Sequence, residues 1–154
     1  MNQINDNCVK LVKKFEGFRG KPYLCPAGKP TIGYGATYYN DGRRVTLEDK
    51  AITEEEAEDM LMKMLSVFSE KVVKVCDNLG LKFDDNKFSA LVSFAYNCGV
   101  GALTNVLTKY KDGLNIETLI NQYKFATIDG VKTELRGLMF RRKAEVKLFK
   151  NGIV

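Results

Sequence analysis

Three side chains near the N-terminus have the types and spacing to do chemistry together: Glu16, Cys25 and Thr31, with eight and then five residues between them. A carboxyl transfers protons, a thiol attacks or accepts protons as its thiolate, and a hydroxyl orients a small polar molecule. They lie in the segment Phe15 to Thr37, FEGFRGKPYLCPAGKPTIGYGAT. Gly20, Pro22, Pro26, Gly28 and Pro30 forbid a continuing helix there. The glycines of Thr31-Ile32-Gly33-Tyr34-Gly35 let another piece of chain come close. A carboxyl at a helix end, a thiol on a rigid loop and a hydroxyl opening a strand are thereby expected at one place.

The elements that position them follow from periodicity and caps. Ile4, Cys8, Leu11, Val12 and Phe15 recur at helical spacing after Asn5-Asp6-Asn7, giving a first helix over residues 6–15, stopped by Gly17. Thr31–Thr37 and Arg43–Thr46 read as strands around the turn signal Asp41-Gly42. Thr53-Glu54-Glu55-Glu56 matches a capping box and opens a long helix over 54–76. Phe88 to Cys98 forms an apolar helix ending at Gly99. Two shorter helices follow, over Val100–Tyr110 and Ile116–Phe125. Thr127–Thr133 reads as a loop or small hairpin. A last helix over Arg136–Lys150 should bury Leu138, Val146 and Phe149. The class is α+β: a sheet lobe over about 16–52, a linker helix over 54–76, and a helical lobe over 77–154 that takes in the N-terminal helix.

Composition narrows the chemistry. The 154 residues fit one domain, and no apolar stretch is long enough to span a bilayer. The polar N-terminal segment lacks the apolar region of an export signal, so accumulation in the cytoplasm is expected. There is no histidine, which excludes His-based triads, Cys-His proteases and His-ligated zinc within the chain. Cys8, Cys25, Cys76 and Cys98 show no CxxC spacing, so no metal or other cofactor is expected. Cys8, Cys76 and Cys98 fall on apolar helix faces and should pack as small hydrophobes. The net charge of +5 resides in Lys132–Lys150, with seven basic and two acidic residues. Such a segment is a solvated helix face or an attractant for a polyanion. No helix-turn-helix or RNA-binding signature accompanies it, so no nucleic-acid partner is expected.

The spacing of Glu16, Cys25 and Thr31, with Gly17 after the glutamate and Thr31-Ile32-Gly33-Tyr34-Gly35 at the end, closely resembles the phage-type lysozymes of glycoside hydrolase family 24. The resemblance continues through Ile52-Thr53-Glu54-Glu55-Glu56-Ala57, Phe88 to Gly99, and Arg136-Gly137-Leu138-Met139-Phe140-Arg141-Arg142. It implies a lysozyme-like fold with a cleft between the lobes. The implied activity is cleavage of the β-1,4 bond between N-acetylmuramic acid and N-acetylglucosamine in peptidoglycan. The lack of an N-terminal apolar anchor implies a lysin that is not inserted in the membrane and that reaches the wall from the host cytoplasm through a holin-made lesion, and a monomer is the default expectation.

Carried over residue by residue, the resemblance makes Glu16 the acid that protonates the leaving oxygen, with Cys25 and Thr31 completing the catalytic set. Gly35, Tyr34 and Asn97 would contact substrate, and Arg141 or Arg142 would pair with Glu16. Glu16 must keep a proton near neutral pH, which partial burial favours and a paired cation opposes. Cys25 stands where the family more often has Asp, and an unperturbed thiol, with a pKa of about 8.5, is mostly protonated at neutral pH. Lys21, Lys29 or a buried arginine would lower that pKa and let Cys25 act as base or nucleophile. Ala36 replaces a frequent His, and no tryptophan is present. Sugar stacking would therefore fall to Tyr34, Tyr38, Tyr39, Tyr96 or Tyr123. The rival readings are a lytic transglycosylase and a non-catalytic wall-binding module.

Overall fold

A computed structural model describes residues 3–154. Helix α1 (Asp6–Glu16) begins where the Asn5 side chain accepts a hydrogen bond from the Asn7 amide. It ends where the Gly17 amide donates to the Lys13 carbonyl, and it buries Cys8, Leu11 and Val12. Glu16 is thus the last helical residue, one position past the expected boundary.

The sheet that follows differs from expectation. Its strands are β1 (Arg19–Leu24) and β2 (Pro30–Gly33), paired antiparallel with Tyr23 opposite Thr31. Gly20 and Pro22 had marked β1 as loop. They are tolerated because the register shifts between Arg19 and Tyr23, where regular pairing lapses. Strand β2 stops at Gly33 rather than reaching Thr37, since Gly33 and Gly35 both turn into positive φ. Arg43–Thr46 contributes one isolated bridge, Tyr38 to Arg44, instead of a strand.

Helix α2 (Glu54–Leu79) carries the full capping box: the Glu56 amide donates to Thr53 Oγ1, and the Thr53 amide donates to Glu56 Oε1. At 1.5 Å per residue it is about 39 Å long, three residues longer than expected because Gly80 ends it in the left-handed conformation. Ile32, Ala36 and Val45 close on Met60 of α2 as a small core beside the sheet. Most of the remaining apolar residues form a second, larger core.

That larger core centres on α3 (Asp85–Cys98), in which every residue from Phe88 to Ala95 is buried. Around it pack α1, α2, α4 (Val100–Lys111) and α6 (Arg136–Asn151). Helix α5 (Ile116–Asn121) is shorter than expected, and Phe125 instead opens a hairpin of β3 (Phe125–Ile128) and β4 (Val131–Glu134). Asp129 and Gly130, both at positive φ, make its two-residue turn. The α+β class is as expected, with six helices and two small antiparallel sheets among the described residues.

Helix α6 buries Val146 and Phe149 as expected, but Leu138 is only partly covered. The residues buried with them are charged: Arg141, Arg142 and Glu145.

Candidate functional site

Burying three charges on one helix requires that each find a partner. Glu145 is the hub. Its Oε2 accepts from Ser93 Oγ at 2.6 Å and lies 3.3 Å from Arg141 Nε, while its Oε1 lies 2.7 Å from Arg142 Nε. The Arg142 contact is an ion pair without hydrogen-bond alignment. Arg141, 3% exposed, also donates from Nη2 to the Ser93 carbonyl. Its Nη1 reaches across to Glu16 Oε2 at 2.5 Å. Burial disfavours the guanidinium charge, yet Glu145 and Glu16 outweigh it and hold the Arg141 pKa above its ordinary value. Of the two arginines suggested for Glu16, Arg141 is the one that pairs with it. Arg142 turns to the Tyr123 carbonyl, the Cys98 thiol and the face of Phe94.

The other oxygen of Glu16 meets backbone. A Cβ placed on Gly35 would come within 2.5 Å of Glu16 Oε1, and Gly35 holds φ +82°. No residue but glycine meets both conditions unstrained. Gly35 therefore walls the carboxyl opposite Arg141, leaving the Glu16 side chain 19% exposed.

Cys25 opens the turn between β1 and β2, where the Gly28 amide donates to the Cys25 carbonyl and the Cys25 amide to the Lys29 carbonyl. The thiol is partly exposed. Desolvation raises its pKa, but the Lys29 and Ala27 amides, the Thr31 hydroxyl and the Lys29 ammonium together carry it below the ordinary thiol value. Lys29, rather than Lys21, is the nearby cation that matters. Buried Thr31 donates its hydroxyl hydrogen to the Lys29 carbonyl at 2.9 Å. One hydroxyl has one hydrogen, so Thr31 serves either that carbonyl or the thiolate at a given moment.

Tyr23 stands beside Thr31 and was not singled out in the sequence. It pairs with Thr31 across the sheet, so both side chains leave the same face. Its phenol pKa is raised by burial and by the charges of Glu16 and Cys25, against the opposing pull of Arg19. Tyr23 thus sits in the fields of both groups. Its signal was alternation through β1, two residues before Cys25, obscured by Gly20 and Pro22.

The remaining expected residues are distributed unevenly. The Tyr34 ring is 5% exposed, packed on Phe18, with its hydroxyl donating to Glu54 Oε1 at 2.8 Å. No face of it is open to a sugar. Asn97 is exposed at the end of α3 and accepts a weak hydrogen bond from the Cys98 thiol. Cys98 packs against the main core as expected, though only partly buried, and its thiol also accepts a hydrogen bond from Arg142. Cys8 and Cys76 are buried as expected. Tyr38 is 44% exposed and receives an Arg44 hydrogen bond, whereas Tyr39 is tied to Asp49. An open cavity of about 800 Å³ lies between residues 39–52 and the start of α2, but it contains none of Glu16, Cys25 and Thr31. No helix among the described residues is long and apolar enough to cross a membrane.

The family model for phage lysozyme matches residues 13–145, which spans Glu16, the sheet and the buried Arg141–Glu145 cluster. The chain belongs to the phage lysozyme family. It is 30% identical to the endolysin of Acyrthosiphon pisum secondary endosymbiont phage 1, over 97% of this chain and 99% of that protein. It is 37% identical to the endolysin of Bacillus phage B103 over 97% of itself, but spans only 54% of that longer protein. Among solved structures, the endolysin from Escherichia coli O157:H7 phage FAHEc1 superposes with a TM-score of 0.86 at 28% identity, covering 98% of this chain and 95% of that one. The muramidase domain of SpmX from Asticaccaulis excentricus gives 0.79 at 29% identity, covering 98% and 99%. The fold is therefore that of a phage lysozyme, and the chain is a glycosidase that degrades peptidoglycan.

Proposed function

We propose that this phage lysozyme hydrolyses the β-1,4 bond between N-acetylmuramic acid and N-acetylglucosamine, with Glu16, Cys25 and Thr31 as its catalytic residues. The observation that carries the reading is the fixing of Glu16 from two sides, Arg141 on one oxygen and the Gly35 backbone at the other. A carboxyl so held has one direction in which to offer a proton. Glu16 protonates the glycosidic oxygen as the bond to the anomeric carbon breaks. Arg141 then faces the carboxylate left behind. Water attacks the anomeric carbon and loses its proton to the Cys25 thiolate, which the Lys29 and Ala27 amides favour. Thr31 orients that water. Exposed Asn97 and the Gly35 backbone contact the glycan, Tyr34 sets the turn that carries Gly35, and Arg142 braces α6 from behind.

The same reading makes the chain a single lysozyme domain acting as a monomer, with no nucleic-acid partner and no stable membrane insertion. It starts in the cytoplasm of the bacterial host and reaches the wall through a holin-made opening.

Digestion of purified peptidoglycan, beside Glu16→Gln, with mass analysis of the released fragments tests this. Hydrolysed reducing muramic ends from the wild type, and none from Glu16→Gln, are expected. Anhydro-muramic ends would reassign the chain to lytic transglycosylases, and full activity in Glu16→Gln would remove Glu16 from the mechanism.

A further inference from the structure

The turn that walls Glu16 is lightly tied by its own backbone. Ile32 and Ala36 exchange both amide–carbonyl hydrogen bonds, at 2.9 Å each, and so pin its two ends. Between them, Gly33 and Gly35 both adopt positive φ, a conformation glycine enters without a side chain to fix it. The middle of the turn is restrained from elsewhere in the chain: the buried Tyr34 side chain packs on Phe18 and donates to Glu54, and a second contact reaches the backbone itself. Tyr96, in the last turn of α3, donates its hydroxyl to the Tyr34 carbonyl at 3.1 Å. That carbonyl belongs to the peptide group leading directly into Gly35, the residue against Glu16 Oε1.

Tyr96 is itself well anchored. Its ring meets Phe68 of α2 edge-on, with centroids 5.5 Å apart. Burial and the neighbouring Glu16 carboxylate push its phenol far above the ordinary tyrosine value, against a smaller opposing effect of Arg141. The hydroxyl therefore keeps its hydrogen to donate at any working pH. Tyr96 also stands three residues after Ser93, which supports Arg141 from the same helix. One helix thus braces Glu16 on both sides, through Arg141 at Oε2 and through the Tyr34–Gly35 turn at Oε1.

We infer that Tyr96 is a positioning residue for Glu16: its hydroxyl holds the Tyr34–Gly35 turn against the carboxyl and so sets the direction in which Glu16 presents its proton. This rests on Glu16 being the acid of the proposed reaction. The residue acts through the turn and has no role at the reacting atoms. A hydroxyl that served stability alone would show itself in the melting temperature, with the turnover of folded molecules unaltered.

Tyr96→Phe separates these, since it keeps the ring on Phe68 and removes only the donor. Rates on purified peptidoglycan are measured at a temperature where both chains are fully folded, with kcat and KM resolved and kcat followed against pH. The expected result is a kcat about tenfold lower with KM within about twofold, as for a reacting group displaced by a fraction of an ångström. The pH profile of kcat should move, and the Gly35 amide resonance should shift in NMR spectra. Unchanged kcat, pH profile and Gly35 resonance would overturn the inference, as would a lowered melting temperature or altered KM with kcat unchanged. Glu16→Gln run in parallel keeps the two ideas distinct. If that variant retains activity, the acid assignment fails whatever Tyr96→Phe does. If it is inactive, the Tyr96→Phe result speaks to positioning alone.

Discussion

Arg141 and Glu16 stand 125 positions apart in the chain, yet the guanidinium of one holds a carboxylate oxygen of the other at 2.5 Å. The pair joins the C-terminal end of α1 to the buried face of α6. Because Arg141 is also bound to Glu145, its loss leaves Glu145 buried with a single misaligned cation, Arg142. Arg141→Leu should therefore lower stability by about 3 kcal/mol or more, the usual cost of breaking a buried pair from one side. Urea unfolding followed by circular dichroism measures it, and a loss under about 1 kcal/mol would contradict this account.

Two glycines with similar positive φ allow strain to be separated from contact. Gly35 (φ +82°) lies against Glu16, whereas Gly42 (φ +90°) faces open space. Alanine at either position should cost about 1–2 kcal/mol through the left-handed backbone. Only Gly35→Ala should also displace Glu16 and cut hydrolysis sharply, while Gly42→Ala keeps the wild-type rate. Equal activity in the two variants, assayed on folded protein, would mean that the close approach at Gly35 is unimportant.

Cys25 should be the one thiol that reacts readily. Its pKa lies below the ordinary value, whereas burial raises Cys8 to about 12 and Cys76 and Cys98 to about 11. Brief treatment with iodoacetamide near neutral pH should give a single adduct, on Cys25, located by peptide mass analysis. Activity should fall in step with labelling. Since the reactive form is the thiolate, hydrolysis should rise with pH through the Cys25 titration. That rise should move to lower pH in Cys25→Asp, and Thr31→Val should move the labelling midpoint upward. A fully labelled enzyme with undiminished activity would exclude Cys25 from the mechanism.

Alkaline pH should unfold the chain earlier than a typical domain. The folded state holds the protons of Cys8, Cys76 and Cys98, and of Tyr34 and Tyr39 at about 12, to higher pH than the unfolded chain does. Burial is the leading cause in each case, joined at Tyr34 by Glu54 and at Tyr39 by Asp49. The folded chain binds more protons between about pH 9 and 12, so stability is intact below pH 9 and falls through that window. Urea midpoints at pH 7, 9 and 10.5 trace the decline, which should be shallower in Cys8→Ala. A flat response to pH 10.5 would refute it.

What the sequence discloses here is what short-range rules govern. The caps at Asn5 and Thr53 act over two or three residues and are readable in the sequence, and those at Asp84 and Asn115 follow the same chemistry. Strand β1 escaped because Gly20 and Pro22 signal loop, and only the irregular pairing with β2 makes room for them. The cluster of Ser93, Arg141, Arg142 and Glu145 escaped for a different reason. Hydrophobic periodicity assigns charges to solvent, and a charge buried against a partner 48 or 125 residues away leaves no local trace. The resemblance to a known family supplied Arg141 and Arg142 as candidates, but not the division of labour between them. That division follows from the direction in which each guanidinium leaves α6.

The distance in sequence between Glu16 and its supports also sets a timetable. A ribosome that has released α1, both strands of the first sheet and the whole of α2 has exposed Glu16, Cys25 and Thr31 with the acid still unheld. Ser93 and Tyr96 come later, and Arg141 and Glu145 arrive only with the final helix. Contacts this far apart form late because the intervening chain must first be ordered. With Glu16 as the proposed acid, its support is complete only once α6 has docked, so chains cut short before α6 are expected to show no turnover.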